Sequence, residues 1–199
     1  MAGVPLTYPP FEHWVWFIPV VMLGLCVGSF LNVVIYRLPK GMSVNQPRRS
    51  FCPGCKNQLR AMQNLPVISW LCLGGKCGFC GVPISVRYVA VEILTAVLFG
   101  LVWWIFPPQV ALPLWVLMAL LVAITFIDAE HLIIPTNLTW AGAVVGLIGG
   151  VAWPPLSALA GYNFTRLDGL KAGGIGWIVG FVGLWGVVEF GKKDRRAHV

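Results

Sequence analysis

Five apolar runs, each close to the length that a helix needs to cross a bilayer, leave this chain of 199 residues little freedom in what it can fold into. They fall at about residues 14–36, 88–106, 110–127, 137–153 and 171–190. A helix rises about 1.5 Å per residue, so roughly 20 apolar residues cross a hydrocarbon core of about 30 Å. A membrane barrel would alternate apolar and polar residues, whereas these runs are continuously apolar. With 58% hydrophobic residues, 11% charged residues and a mean hydropathy of +0.80, an ordinary soluble domain is excluded. The sequence predicts an all-α integral membrane protein of about five transmembrane helices. "FPPQ" after the second run and "WPP" after the fourth supply helix stops.

Orientation follows from lysine and arginine, because loops rich in them stay on the cytoplasmic side. The stretch from Arg37 to Arg87 carries eight such residues and no Asp or Glu. This predicts three parts: an external N-terminus with the first transmembrane helix over 1–36, a cytoplasmic loop over 37–87, and a membrane helical region over 88–199. The basic tail "GKKDRRAHV" then falls on the cytoplasmic side as well. Residues 1–13 hold Glu12, no positive charge and no small-residue cleavage site, so the first span is expected to be retained. The net charge of +7 belongs mostly to the cytoplasmic face, where it meets anionic lipid headgroups.

Within that loop stand "CPGC" (Cys52, Cys55) and "CGFC" (Cys77, Cys80). Two such pairs make a four-thiolate zinc site, and the glycines Gly54, Gly78 and Gly81 let backbone N–H groups approach the sulfurs. Two disulfides are the competing arrangement, and a reducing compartment argues against them. Four cysteines leave no open coordination position, so the zinc is expected to be structural, folding a loop poor in large apolar residues. A basic loop with paired cysteines also suits a nucleic-acid-binding ribbon, but tethering between two spans argues for no nucleic acid. Cys26 and Cys72 are expected to be small buried hydrophobes rather than ligands.

The third run ends in "ITFIDAEHLIIP", with Asp128, Glu130 and His131. From the residues alone, Asp128 is either an interfacial charge at a helix end or a chemical group. Glu92, early in the second run, is expected to hydrogen-bond to a neighbouring span or to Arg87. Gly169, Gly173, Gly176 and Gly180 in the last run have the spacing for close helix contact.

"GSFLNVVIYRLP" at 28–39, the two cysteine pairs, "NLPVISWL" at 64–71, "PISVRYVAVEILT" at 83–95 and "FIDAEHLIIPTNLT" at 126–139 together resemble the type IV prepilin peptidase family. The resemblance covers residues 28–139 with five motifs in order. It implies a polytopic aspartic peptidase of the bacterial inner membrane that removes the leader of prepilins or pseudopilins at the cytoplasmic face. Many members then methylate the new N-terminal amine with S-adenosylmethionine. By the same resemblance Asp128 is the first catalytic aspartate, and Cys52, Cys55, Cys77 and Cys80 bind zinc. Gln63 departs from the pattern, where members often carry Asp.

Two carboxyls in contact share one proton, so that one activates water while the other polarises the scissile carbonyl. In the family the second aspartate sits in a Gly-x-Gly-Asp motif that this sequence does not contain. Asp168 falls on the external side of the predicted topology, and Asp194 is flanked by Lys192, Lys193, Arg195 and Arg196, which hold it ionised. The expectation is a chain that stops short of its C-terminal part and is inactive as these 199 residues. The alternative is a non-catalytic zinc-bearing homologue that binds pilin precursors or assembly partners.

Overall fold

The computed structural model describes residues 12–152 other than 48, 49, 53, 107 and 134, together with 171, 174, 175 and 178. The expected fifth span apart from residues 171, 174, 175 and 178, the glycines at 169, 173, 176 and 180, Asp168 and Asp194 lie outside the described residues. Residues Met1–Ala143 form one compact unit, which holds the loop, the cysteines and the cavity, and Val144–Val199 belong to a second.

Among the described residues five helices follow one another: α1 (Glu12–Arg37), the short α2 (Ile68–Cys72), α3 (Val86–Ile105), α4 (Pro108–His131) and α5 (Thr136–Ala152). Two 3-10 turns, Leu38–Lys40 and Ala61–Asn64, punctuate the loop between α1 and α3. Three segments among the described residues are long and apolar enough to cross a membrane, Trp14–Lys40, Val86–Ile105 and Ala111–His131. The fourth expected span appears as α5, 17 residues long. β-structure among the described residues amounts to two isolated bridges, both in the loop.

Helix α1 packs chiefly on α3. The contact is as close as backbones allow. A Cβ added at Gly24 would lie 2.6 Å from the Ala96 Cα, and one at Gly28 would lie 2.7 Å from the Glu92 Cα. Glycines four residues apart occupy one face of a helix and let a second backbone lie against it. Helix α4 closes the other side, so that Leu31 and Ile35 of α1, Val91 of α3, and Val122, Ala123 and Ile127 of α4 form one buried cluster. Aromatic side chains gather at the end distant from the loop, where Trp14 meets Trp104 edge-on at 4.6 Å and Trp115 stacks on Phe99 at 5.4 Å. Such rings favour the membrane interface.

At the other end the loop is fastened to the helices. Val67 has φ 59° and ψ −51°, and its carbonyl-side neighbour Ile68 donates its N–H to Pro66 O, which makes a γ-turn of the rare, strained form. A β-branched residue at positive φ needs compensation. Its own N–H supplies that by donating to Glu92 Oε2 at 2.8 Å, from a side chain that is 8% exposed. Trp70 Nε1 donates to Ile84 O at 3.1 Å, holding α2 against the approach to α3. Arg37, 3% exposed, donates from Nη1 to the carbonyls of Ser43, Val44 and Pro47, and so shapes the start of the loop.

Two substitutions test this arrangement. Glu92→Leu leaves the Val67 N–H without its acceptor and is expected to lower stability by about 1–3 kcal/mol, while Glu92→Gln, which keeps an oxygen there, loses less. Gly28→Leu forces α1 away from the α3 backbone, at a cost of about 1–3 kcal/mol. Thermal unfolding of the detergent-solubilised protein measures both, and midpoints equal to the wild type would remove these contacts from the account.

Candidate metal centre and adjoining cavity

The loop builds two knuckles of the same design. In the first, Cys52 N–H donates to Asn57 O (3.0 Å), Lys56 N–H to Cys52 O (2.9 Å) and Leu59 N–H to Ser50 O (2.9 Å). In the second, Cys77 N–H donates to Val82 O (2.8 Å), Gly81 N–H to Cys77 O (2.9 Å) and Ile84 N–H to Gly75 O (2.7 Å). Each knuckle is closed by one antiparallel bridge, Phe51 with Gln58 and Lys76 with Pro83. The residue after each second cysteine takes a left-handed turn, Lys56 at φ 61° and Gly81 at φ 70°. Glycine adopts that turn freely, whereas the lysine is held in it by the bonds around it.

The two knuckles face each other, and the four sulfurs of Cys52, Cys55, Cys77 and Cys80 all lie within 4.8 Å of one another. Cys52 Sγ is 3.8 Å from Cys80 Sγ. None of the four is paired in a disulfide. One metal ion can bind among them. The N–H groups of Phe79 and Cys80 draw the Cys77 thiol down from 9.0 to about 7, against the effect of burial. At Cys80 the Val82 N–H also favours the thiolate, but burial and the sulfurs of Cys55, Cys77 and Cys52 outweigh it and push the thiol up to about 11. Once one sulfur of such a cluster ionises, its neighbours resist until a cation compensates the charge.

Beneath the knuckles lies a cavity of about 490 Å³. Its walls come from α1 (Ser29, Asn32), the loop (Gln63, Trp70), α3 (Glu92) and the end of α4 (Glu130, His131). Asn32 is 4% exposed and donates to Tyr88 O at 2.9 Å, and no partner among the described residues reaches its Oδ1. Gln63 accepts the Arg60 N–H at 3.0 Å and lies against Gly78, in the second knuckle.

The four cysteines predicted from the sequence thus come together, and Asp128 does not join them. Asp128 is exposed on the last turn of α4, which runs on to His131 before Leu132, at φ 53°, ends it by donating its N–H to Asp128 O at 2.8 Å. Two residues along a helix is about 200°, so Asp128 and Glu130 point to nearly opposite sides. Glu130 turns toward α3, where both its oxygens accept from Arg87 Nη1. Arg87 therefore pairs with Glu130, and Glu92 takes the Val67 N–H. Cys26 and Cys72, expected to be buried, are exposed. For Cys26, on a helix long and apolar enough to cross a membrane, the exposed surface meets lipid and the thiol has no water to escape from. The role of Asn32 and Arg37 was not read from composition or spacing, although both stand in the segment "GSFLNVVIYRLP" singled out above.

Residues 22–106, from the middle of α1 to the end of α3, match the bacterial peptidase A24 N-terminal domain. A prepilin leader peptidase/N-methyltransferase of Myxococcus xanthus is 44% identical over 158 residues, covering 79% of this chain and 44% of that protein. The protein of the same name from Neisseria gonorrhoeae is 41% identical over 173 residues, 71% of this chain and 60% of the relative. That of Pseudomonas aeruginosa is 34% identical over 194 residues, 84% of this chain and 61% of the relative. The chain thus spans less than two thirds of the length of these relatives. No solved structure matches it. Over residues 22–106 this chain carries the bacterial peptidase A24 N-terminal domain, and over most of its length it is similar to prepilin leader peptidase/N-methyltransferases.

Proposed function

We propose that this chain is the part of a membrane aspartic peptidase for prepilins or pseudopilins that holds the zinc loop and the first catalytic carboxylate. The observation that carries the reading is convergence. The cysteine knuckles, the cavity and the α4 end bearing Asp128 all gather where α1 ends, α3 begins and α4 ends. In this reading residues 1–36, 37–87 and 88–199 are the three parts set out from the sequence, with loop and α4 end on the cytoplasmic side of the bacterial inner membrane. The excess of lysine and arginine in the loop supports that orientation.

Asp128, exposed at the membrane boundary, acts with a second aspartate that shares its proton. The ionised carboxylate removes a proton from water, and the protonated one donates a hydrogen bond to the scissile carbonyl. Asp128 faces away from the cavity, so the partner approaches from the side of α4 opposite Glu130. The cavity is of a size that suits a small ligand. S-adenosylmethionine, when bound, supplies the methyl group for the new N-terminal amine. The cavity brings the Glu92 carboxylate, the Asn32 amide and the Trp70 ring to one place, which suits a cationic, nucleoside-bearing donor.

Zinc is the metal that four thiolates select, and tetrahedral Zn–S bonds of about 2.3 Å set sulfurs about 3.8 Å apart. The Cys52 to Cys80 separation of 3.8 Å supports that fit. The zinc is structural, since no ligand position stays open.

Asp128→Asn, made in the protein as its host produces it, is expected to lower prepilin cleavage by a factor on the order of 10² to 10⁴ while methylation of a pre-cleaved pilin continues. Unchanged cleavage would overturn the peptidase role of Asp128, and an absence of cleavage in the wild type as well would favour a binding protein. Elemental analysis of the purified protein should find about one zinc per chain. Cys77→Ser should lose it on dialysis and unfold the loop, seen as protease sensitivity between residues 37 and 87; full metal retention would sink the four-thiolate site.

A further inference from the structure

The segment around α2 has two faces, and only one of them is used by the cavity. Ser69, Trp70 and Leu73 line the cavity. Met62 (75% exposed), Ile68 (52%) and Leu71 (63%) are large apolar side chains left exposed. In a loop surrounded by water this would be a costly patch.

Its depth removes the difficulty. Arg87 and Trp104 mark the two ends of α3. They are 17 residues apart, which spans about 26 Å, close to the thickness of a hydrocarbon core. Glu92 stands five residues inward from Arg87, or about 7.5 Å toward the bilayer interior. The Val67 N–H is bonded to the Glu92 carboxyl, so the chain at Val67 lies beside the first turns of α3, between the levels of Arg87 and Glu92. Trp70, through Ile84, fixes which face of the segment turns inward.

We infer that residues 62–72 are a bilayer-embedded wall: the loop dips into the boundary between headgroups and acyl chains, and Met62, Ile68 and Leu71 rest on lipid of an anionic membrane. On α3, a segment long and apolar enough to cross a membrane, Ile93, Leu94 and Val97 are exposed in the same way. The charge of the loop fits the same partner, since the stretch from Arg37 to Arg87 carries eight lysines and arginines and no acid. Long basic side chains lie along aromatic rings nearby, Lys40 over Tyr36 at 3.4 Å and Arg60 over Phe79 at 5.7 Å, in the manner of groups that reach from an apolar layer to phosphate. The cavity is then separated from lipid by one short helix, so that a substrate anchored in the membrane reaches it along the bilayer surface.

The proposal is tested with a nitroxide attached through a genetically encoded ketone side chain, which leaves the cysteines untouched. It is placed in turn at positions 71, 68, 76 and 97 of the full chain in nanodiscs of phosphatidylethanolamine and phosphatidylglycerol. Collisions with oxygen report lipid, and collisions with a hydrophilic nickel chelate report water. The expected result is an oxygen-to-chelate ratio at 71 and 68 several-fold above that at 76 and approaching that at 97. A ratio at 71 and 68 equal to that at 76, with 97 in lipid, overturns the embedded wall. Shielding of 71 and 68 from both colliders also overturns it, because the patch would then be covered by protein, such as a second copy. If 97 itself reports water, the membrane reading of α3 fails and the wall fails with it.

Discussion

The hydrogen bond from Val67 N–H to Glu92 joins the two halves of this molecule, its membrane helices and its polar loop. A carboxyl group within an apolar helix is expensive unless it is engaged. Glycine at position 28 lets α1 come so near that Glu92 is buried in the seam, with the strained γ-turn as its partner. Each feature would be unfavourable by itself. Together they satisfy one another and fix the height of the loop relative to the helices.

From that anchor the rest of the loop follows. Its ends are held by Arg37 at one side and by the Trp70 bond to Ile84 at the other. Between them the chain forms two knuckles with matching hydrogen bonds, bringing four thiols within reach of one ion. So short a segment has few large apolar side chains to bury, and a metal held by the four thiols would supply the missing folding energy. The knuckles roof a cavity whose floor is the same α1 and α3 seam, so the four thiols and the cavity belong to one continuous structure.

Much of this was legible in the sequence because it is local. A run of apolar residues announces a helix, and Cys-x-x-Cys closes on itself, so both survive without knowledge of any neighbour. The cysteine set was read in full, and the helices α1, α3 and α4 match their predicted runs closely. The boundary of α4 was less clear, since Asp128, Glu130 and His131 look like a loop but continue the helix to its last turn. Pairings across the fold were not legible. Arg87 had two acids within plausible reach, Glu92 and Glu130, and only the antiparallel packing of α3 against α4 brings the second one to it. The closely packed glycines are Gly24 and Gly28, although the last apolar run has similar spacing.

The sequence alone determined that the chain is helical and membrane-embedded, where its polar loop lies and which four side chains can hold a metal, because these properties depend on composition and on spacing within a few residues. Only the tertiary structure decided that Glu92 supports Val67, that Asp128 and Glu130 face opposite ways, and that a cavity opens between knuckles and helices. A helix that is apolar all round carries no mark of the face it will bury. Which residues meet across 25 or 43 positions of chain is settled by packing, not by pattern.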